Sequence, residues 1–293
     1  MPTQLDIKRR IRSVKNTQQI TRAMKFVAAA RLRRAHEKAL SARPYMKALT
    51  RIVQSISQRV PETTHPLLAR RPEEKVLLLV VSGERGLAGA FNANIIRRSI
   101  EFLRERKAQT LEVITLGRKG RDALRKQSWK IIGEHVDITS KVDRSRAAEI
   151  AQAVATLYGN GEIDAVYIVF NEFKTVLTQI VTLEKLLPIE SPSGPPKDAK
   201  ETPTGATMID YIYEEPPAQL MASLLPRYLE AQIFRALAES SASEHAARMT
   251  AMDSATNNAV ELIDKLTLYM NKVRQAAITK EIIEVVSGAA SAG

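Results

Sequence analysis

The stretch that decides the fold runs from Arg227 to Ser287 and reads RYLEAQIFRALAESSASEHAARMTAMDSATNNAVELIDKLTLYMNKVRQAAITKEIIEVVS. It contains neither glycine nor proline. A helix of this length would extend roughly 90 Å at about 1.5 Å per residue. Ordinary globular helices have about 11 residues. The sequence therefore predicts one unusually long helix in the C-terminal third of the chain.

Small and apolar residues recur within this stretch at alternating spacings of three and four, which is the pattern of a coiled-coil seam. The seam residues are Met249, Met252, Thr256, Ala259, Ile263, Leu266, Met270, Val273 and Ala277. Because several of them are small, a partner helix can approach closely. The pattern predicts a seam of four heptads that ends at Ala277.

A second long helix is predicted at the N-terminus. Between Thr3 and Arg43 there is no glycine or proline, and good helix formers dominate. We expect Pro44 to bend this helix rather than end it, because the three-four spacing continues beyond it. The residues that continue the spacing are Met46, Leu49, Val53, Ile56 and Val60. The simplest packing of two such helices is antiparallel.

The segment between the helices has the alternation of an α/β domain with a largely parallel sheet. Strands are predicted at Val76–Val81, Leu111–Leu116, Trp129–Ile132 and Ala165–Phe170, with an antiparallel strand at Val176–Leu187. Helices are predicted at Asn92–Lys107, Arg118–Lys126 and Ser145–Tyr158, and a proline-rich loop at Glu190–Ala206. The predicted fold class is α/β, a long antiparallel coiled coil of the terminal helices with an inserted Rossmann-like domain. We divide the chain into an N-terminal coiled-coil helix (1–60), the inserted domain (72–206) and a C-terminal coiled-coil helix (207–293).

Positive charge is concentrated at one end of the chain. Residues 1–51 hold 14 Lys or Arg and two acidic residues, so this segment alone carries the net charge of +12. Such a segment favours an acidic partner. With only Phe26 and Tyr45 as aromatic residues, it lacks the stacking platforms of a nucleic-acid binder. It also lacks the bulky apolar face of a membrane-surface helix. An acidic protein surface fits best.

The composition excludes several kinds of site and segment. There is no cysteine, so disulfides and thiolate metal sites are excluded. No apolar run approaches the roughly 20 residues of a membrane span. The first residues lack the apolar region and cleavage site of a signal peptide. We therefore expect an intracellular protein whose membrane association, if any, is peripheral.

No motif in the sequence amounts to an active site. The glycine-rich stretch Gly83–Gly89 has GxxGxxG spacing, and we interpret it as a tight turn rather than as an anion cradle. The four histidines, His36, His65, His135 and His245, lie far apart and are interpreted as packing or surface residues. We predict no catalytic group, no cofactor and no metal. An α/β enzyme with helical arms and a generic coiled-coil adaptor remain as alternatives.

Four motifs resemble those of ATP synthase gamma subunits. Ile7–Ala35, IKRRIRSVKNTQQITRAMKFVAAARLRRA, is similar to the N-terminal signature of that family, and Ser243–Ser291 is similar to its C-terminal signature. SGERGLAGAFN at Ser82–Asn92 resembles the family's first strand-to-helix turn. YIYEEPP at Tyr211–Pro217 resembles the segment that opens its C-terminal helix. The likeness follows the whole chain in order.

The resemblance implies a function and a set of partners. It implies a non-catalytic rotor shaft that stands inside a ring of three alpha and three beta subunits and transmits torque from the membrane c-ring. Catalysis would take place on beta, with epsilon bound beside the α/β domain. No nucleic acid is implied, and membrane association would come only through the complex. Without a plant-type regulatory cysteine insertion or a transit peptide, a bacterial form at the cytoplasmic face of the inner membrane is implied.

The resemblance also implies roles for individual residues. Arg274 and Gln275 match a pair that hydrogen-bonds an acidic beta loop, and Thr279 and Glu281 match neighbouring coupling positions. Met24 and Arg248 match positions where the helices meet beta. Tyr211 and Glu214 match positions in the foot of the shaft, the end that contacts the c-ring. From the residues alone, the isoleucines and valines between Ile278 and Val286 are expected to form an apolar tip.

Overall fold

Two long helices confirm the first prediction. The computed structural model describes residues 3–57, 65–106, 110–140, 142–189 and 215–292. Helix α1 spans Gln4–Ser57 and helix α5 spans Pro217–Ala292. Each continues through a proline, Pro44 in α1 and Pro226 in α5, and both prolines are exposed. A helix accepts proline most easily on its solvent side, where water satisfies the freed carbonyl. For that reason α5 begins earlier than the proline-free stretch predicted.

The predicted α/β domain is also confirmed, with element bounds close to those expected. Its strands are β1 (Lys75–Val81), β2 (Thr110–Leu116), β3 (Lys130–His135), β4 (Ala165–Phe173) and β5 (Gln179–Leu187). Its helices are α2 (Phe91–Glu105), α3 (Arg118–Arg125) and α4 (Arg144–Gly159). The strand order is β3-β2-β1-β4-β5, with β5 antiparallel to β4 and the other pairs parallel.

The sheet separates two apolar cores, as the period of two along a strand requires. On β1, Leu77, Leu79 and Val81 enter a core with residues of α1, α4 and α5. The alternate residues of β1 enter a second core with residues of α2 and α3. Because both faces are covered, β1 is apolar along most of its length, which is why a continuous hydrophobic run predicted it correctly.

The chain divides into two compact units. Residues 1–29 and 248–293 form one, which we call the terminal unit, and residues 30–247 form the other, the sheet unit. Helices α1 and α5 each contribute to both. The predicted loop at Glu190–Ala206 lies outside the described residues. Among the residues that the structure describes, no helix combines the length and the apolar composition that a membrane span requires.

Candidate functional site: the paired terminal helices

A reciprocal pair of side chains starts helix α1. The backbone N–H and the hydroxyl of Thr3 both donate to Asp6 Oδ2, at 3.1 and 2.6 Å, and the N–H of Asp6 donates to the Thr3 hydroxyl at 3.3 Å. This arrangement is a capping box, with Asp in the place of the usual Glu or Gln. The hydrogen bonds from Thr3 lower the pKa of Asp6. Local sequence therefore fixes where α1 begins, at Gln4.

Helix α1 carries its own coiled-coil seam in the terminal unit. Every seam position is buried or half-buried, and the spacing alternates between four and three. The positions are Ile7, Ile11, Val14, Gln18, Thr21, Lys25 and Ala28. This seam was not predicted from the sequence because three of its members are polar. The spacing of Ile7, Ile11 and Val14 was the available signal.

Two polar contacts set the pairing of α1 with α5 in the terminal unit. The hydroxyls of Thr21 and Thr256 lie 2.8 Å apart, and Lys25 Nζ lies 2.6 Å from Asp253 Oδ1. The partner's number falls as the α1 number rises, so the predicted antiparallel coiled coil is confirmed. The numbers of Thr21 and Thr256 add to 277, and Asp253 directly follows Met252, the seam residue that this sum places opposite Lys25. Ile7 is thereby placed opposite Met270, and seam faces seam throughout.

The paired region ends earlier than the sequence predicted. Val273 is half-buried, but Ala277, the last residue of the predicted seam, is exposed. The reason is the start of α1, because Gln4 falls opposite Val273 in the register and α1 has no turn before Gln4 to cover Ala277. From Arg274 to Ser287 every side chain is exposed. We call this stretch the unpaired segment.

Four of the predicted coupling residues, Arg274, Gln275, Thr279 and Glu281, lie on the unpaired segment. Helix geometry brings them together on two faces, about 100° apart at 3.6 residues per turn. Arg274 and Glu281 share one face, and Gln275 and Thr279 share the other. The Thr279 hydroxyl donates to the carbonyl of Gln275 at 2.9 Å, which directs it onto its own helix. The remaining side chains project into solvent.

The other predicted site residues lie elsewhere. Met24 and Arg248 are both half-buried in the terminal unit, well before the unpaired segment. Met24 directly precedes Lys25, whose ammonium group binds Asp253. Tyr211 and Glu214 lie outside the described residues.

The terminal unit exposes two surfaces that ordinarily seek partners. One is basic and belongs to α1, comprising the exposed Lys8, Arg9, Arg10, Arg12, Lys15 and Arg22. The other is apolar and belongs to the unpaired segment, comprising Ile278, Ile282, Ile283, Val285 and Val286, each 49% to 72% exposed. Exposed apolar groups of this kind mark interaction sites.

The glycine-rich turn of the sheet unit is organised around its own side chains. The Gly83 N–H donates to Asn92 Oδ1 at 2.8 Å, and Asn92 Nδ2 donates to the Arg85 carbonyl at 3.2 Å. Glu84 is buried in the turn, where it accepts a hydrogen bond from the Arg118 N–H, and burial raises its pKa. A carboxyl group here disfavours an anionic ligand. The geometry therefore favours a tight turn over an anion cradle.

Two of the histidines have packing or capping partners. The ring of His36 lies against Phe173, with centroids 5.1 Å apart. His65 Nδ1 accepts the N–H of Leu67 at 3.2 Å and caps the short 3-10 helix Pro66–Leu68. Burial lowers the pKa of His65 and of His135, so the neutral imidazole is favoured at both.

These features define a class of protein in which the two long terminal helices pair with each other and an α/β domain is inserted between them in the sequence. Comparison with known proteins makes the class specific. The sequence profile of the family described as ATP synthase matches residues 3–292. The ATP synthase gamma chain of Solibacter usitatus is 52% identical over the whole of both chains. That of Pelotomaculum thermopropionicum is 46% identical over 99% of each chain.

Solved structures agree with this at the level of fold. A chain from the rotor of the Euglena gracilis mitochondrial ATP synthase is 18% identical, with a TM-score of 0.63 over 93% of this chain and 97% of that one. A second Euglena gracilis structure, titled OSCP/F1/c-ring, gives a TM-score of 0.66 at 17% identity over 97% and 93%. The chain therefore belongs to the family of ATP synthase gamma chains. Its role is that of a central rotor shaft, a stalk subunit that carries no catalysis.

Proposed function

We propose that the terminal unit is the part of this rotor that couples to the catalytic subunits, and that the unpaired segment makes the decisive contacts. The observation that carries the proposal is that every side chain of Arg274–Ser287 is exposed, including those of three isoleucines and two valines. Burial of apolar area contributes about 25 cal/mol per Å². A helix that leaves so much of it in solvent gains its stability on binding, inside a sleeve supplied by three alpha and three beta subunits.

The polar coupling residues lie toward the Arg274 end of the unpaired segment, where the helix would enter this sleeve. Arg274 can donate a planar fork to a carboxylate on beta. Gln275 lies about 100° away on the helix, so the two side chains reach different groups of the partner. Thr279 and Glu281 follow within two turns. Because α1 is absent from this level, the surface that beta meets is asymmetric.

Met24 and Arg248 act in the paired region, where the rotor meets beta through both helices. The exposed basic side chains of α1 complement an acidic protein surface there. As the shaft turns, each beta subunit meets a different face of it. Contacts that differ between beta conformations shift their equilibrium and hence their nucleotide affinity.

The division of the chain into 1–60, 72–206 and 207–293 assigns coupling to the terminal helices and attachment to the inserted domain. We place that domain on the c-ring with epsilon beside it, and Tyr211 and Glu214 at the c-ring contact. Support comes from relatives whose structures are titled central stalk/c-ring and OSCP/F1/c-ring. The complex would lie at the cytoplasmic face of the bacterial inner membrane, with this subunit peripheral.

Reconstitution of the full chain with alpha and beta subunits tests the proposal. We expect a complex of three alpha, three beta and one copy of this chain, with ATPase activity above that of alpha and beta alone. Self-association of the chain without binding to alpha and beta would favour a coiled-coil adaptor. Turnover of a nucleotide by the isolated chain would favour an α/β enzyme.

Replacement of Arg274 tests the unpaired segment. Arg274→Ala is expected to lower ATP-driven proton pumping of the assembled enzyme about tenfold, the order of a lost charge-assisted hydrogen bond. Because the side chain is exposed, the free energy of unfolding should change by less than about 0.5 kcal/mol. Lys280→Ala on the same segment is the control, since Lys280 lies 3.5 Å from Glu284 of its own helix. Equal loss in both variants, or unfolding of the Arg274 variant, would contradict the assignment.

A further inference from the structure

One stretch of α5 in the sheet unit is surrounded on every side. The eleven consecutive residues 236–246 are all buried, which is three full turns of helix. Most are alanine or serine, so the helix is thin at this level. Its polar members, including Ser240, Ser243 and Glu244, are as buried as its alanines. Buried polar groups need partners, and the three serines of this stretch have specific ones.

This stretch contacts the place where open α/β sheets bind their ligands. In such sheets the ligand crevice lies beyond the carboxyl ends of the strands where the chain changes direction across the sheet. In the order β3-β2-β1-β4-β5 that point lies between β1 and β4. The Ser240 hydroxyl accepts the Asn171 N–H at 3.0 Å, and the Ser243 hydroxyl donates to the Asn171 carbonyl at 3.2 Å. Asn171 lies near the carboxyl end of β4.

The two serines take the place of a missing strand. On β4, Val169 is the last residue paired with β1, opposite Val80. Backbone groups alternate between the two edges of a strand, so those of Asn171, two residues further on, point to the same edge of β4 as those of Val169. There β1 has already ended, and the hydroxyls of Ser240 and Ser243 satisfy those groups instead. The sheet and the helix are thus joined through the hydrogen-bonding pattern of the sheet itself.

A second set of contacts lies on a neighbouring side of the helix. The Ser241 hydroxyl donates to the Thr139 carbonyl at 2.8 Å, and the Thr139 hydroxyl lies 3.4 Å from Glu244 Oε2. A Cβ atom at Gly83 would come within 3.0 Å of the Glu244 carboxyl carbon. The glycine two residues beyond β1 therefore leaves the space that Glu244 occupies.

We propose that α5 occupies the ligand crevice of its own α/β domain, and that Ser240, Ser243 and Glu244 are positioning residues that fix its rotation about its axis. The contacts to Asn171 and to Thr139 lie about 100° apart around the helix, so together they oppose rotation in either sense. The inference rests on the rotor function, since in a rotor the torque between sheet and helix passes through these contacts. It also explains why a domain of Rossmann type serves here as a mechanical part.

The test uses the complex with alpha and beta subunits and a rotation probe on the sheet unit. The chain has no cysteine, so Leu177→Cys in the β4–β5 connection, 81% exposed, gives a single attachment site. Angular fluctuations of the probe are recorded with the catalytic sites arrested by nucleotide. Ser240→Ala/Ser243→Ala is compared with Ser223→Ala/Ser254→Ala, two exposed serines of the same helix.

We expect the variance of the probe angle to rise about twofold in Ser240→Ala/Ser243→Ala, because two hydrogen bonds that resist rotation are removed. The control pair should leave it unchanged, and ATPase activity should stay near that of the parent. Unchanged variance in the assembled variant would overturn the inference. If the double variant does not assemble, Ser240→Ala and Ser243→Ala are tested singly by the same criterion. Failure of the parent chain to assemble or rotate would instead refute the rotor function.

Discussion

Two segments of the same helix reverse the usual relation between polarity and burial. Residues 236–246 of α5 bury two glutamates, three serines and a histidine within the sheet unit. Residues 274–287, in the terminal unit, expose three isoleucines and two valines. The serines of the first segment find their partners inside the chain, whereas the proposed function assigns the partners of the second segment to another protein.

The difference is one of role. Polar side chains in the first segment hold the fold together, whereas apolar side chains in the second do nothing for the isolated fold. A buried serine costs little stability only where a backbone group forms a hydrogen bond with its hydroxyl, as the N–H and the carbonyl of Asn171 do. An exposed isoleucine gives the isolated chain no stability and contributes only when a partner covers it. Replacements in the two segments should therefore affect different measurements.

The largest expected effect compares Leu237, which is fully buried, with Ile283, which is 58% exposed. Leu237→Ala should lower the free energy of unfolding by about 2–5 kcal/mol, through lost burial and a cavity. Ile283→Ala should change it by less than about 0.5 kcal/mol. Urea unfolding of the full chain, followed by circular dichroism, measures both. Binding to alpha and beta should show the reverse order, and similar unfolding costs would break the comparison.

An intermediate effect concerns the buried carboxyl group of Glu239, whose Oε2 has no hydrogen-bond partner within the described structure. Burial raises its pKa in the folded chain above the ordinary 4.5, despite the nearby Arg235. The folded state thus holds the proton more tightly than the unfolded state. The stability this gives is present below pH 4.5 and is lost as the pH rises through the folded pKa.

Glu239→Gln cannot ionise and should escape that loss. The variant should be more stable than the parent at pH 8, by about 1 kcal/mol, the order for one unsatisfied buried atom. At pH 4 the two should be alike. Thermal unfolding between pH 4 and pH 8 measures the stability difference between the variant and the parent. Glu261→Gln, on the exposed surface of α5, is the control. A constant difference at all pH values would show that ionisation is not the cause.

The smallest expected effect is at the half-exposed ion pair of Lys25 and Asp253. A double-mutant cycle to alanine should give a coupling energy of about 1 kcal/mol or less. The coupling should shrink further in 1 M salt, where the Debye length falls to about 3 Å. Thr21→Val tests the neighbouring contact with Thr256 and should be insensitive to salt. A salt-independent coupling at Lys25 would indicate that the pair is more deeply desolvated than its exposure suggests.

The fold was predictable because its strongest signals are local. The apolar run of β1 and the glycine- and proline-free stretch of α5 each determine one element with little help from the rest of the chain. Arg274, Gln275, Thr279 and Glu281 were identified through family resemblance, and their exposure on α5 is consistent with a binding role.

Features that depend on two distant segments were not predictable. The end of the seam before Ala277 depends on where α1 begins, and the burial of Ser240 depends on where β1 ends. The polar seam residues Gln18, Thr21 and Lys25 look like a solvent face until the opposing helix is in place. The proline-free stretch predicted a helix only from Arg227, whereas α5 continues through Pro226, whose exposure depends on tertiary packing.

The rule that opposed seam residues add to 277 also limits how a chain of this kind can change in length. One residue inserted between Ile7 and Ala28 would turn the rest of that helix by about 100° and remove its seam from its partner. A whole heptad would preserve the facing but move the boundary of the unpaired segment. Among related sequences, insertions and deletions should therefore concentrate in the connections of the sheet unit, and those within the paired helices should come in sevens.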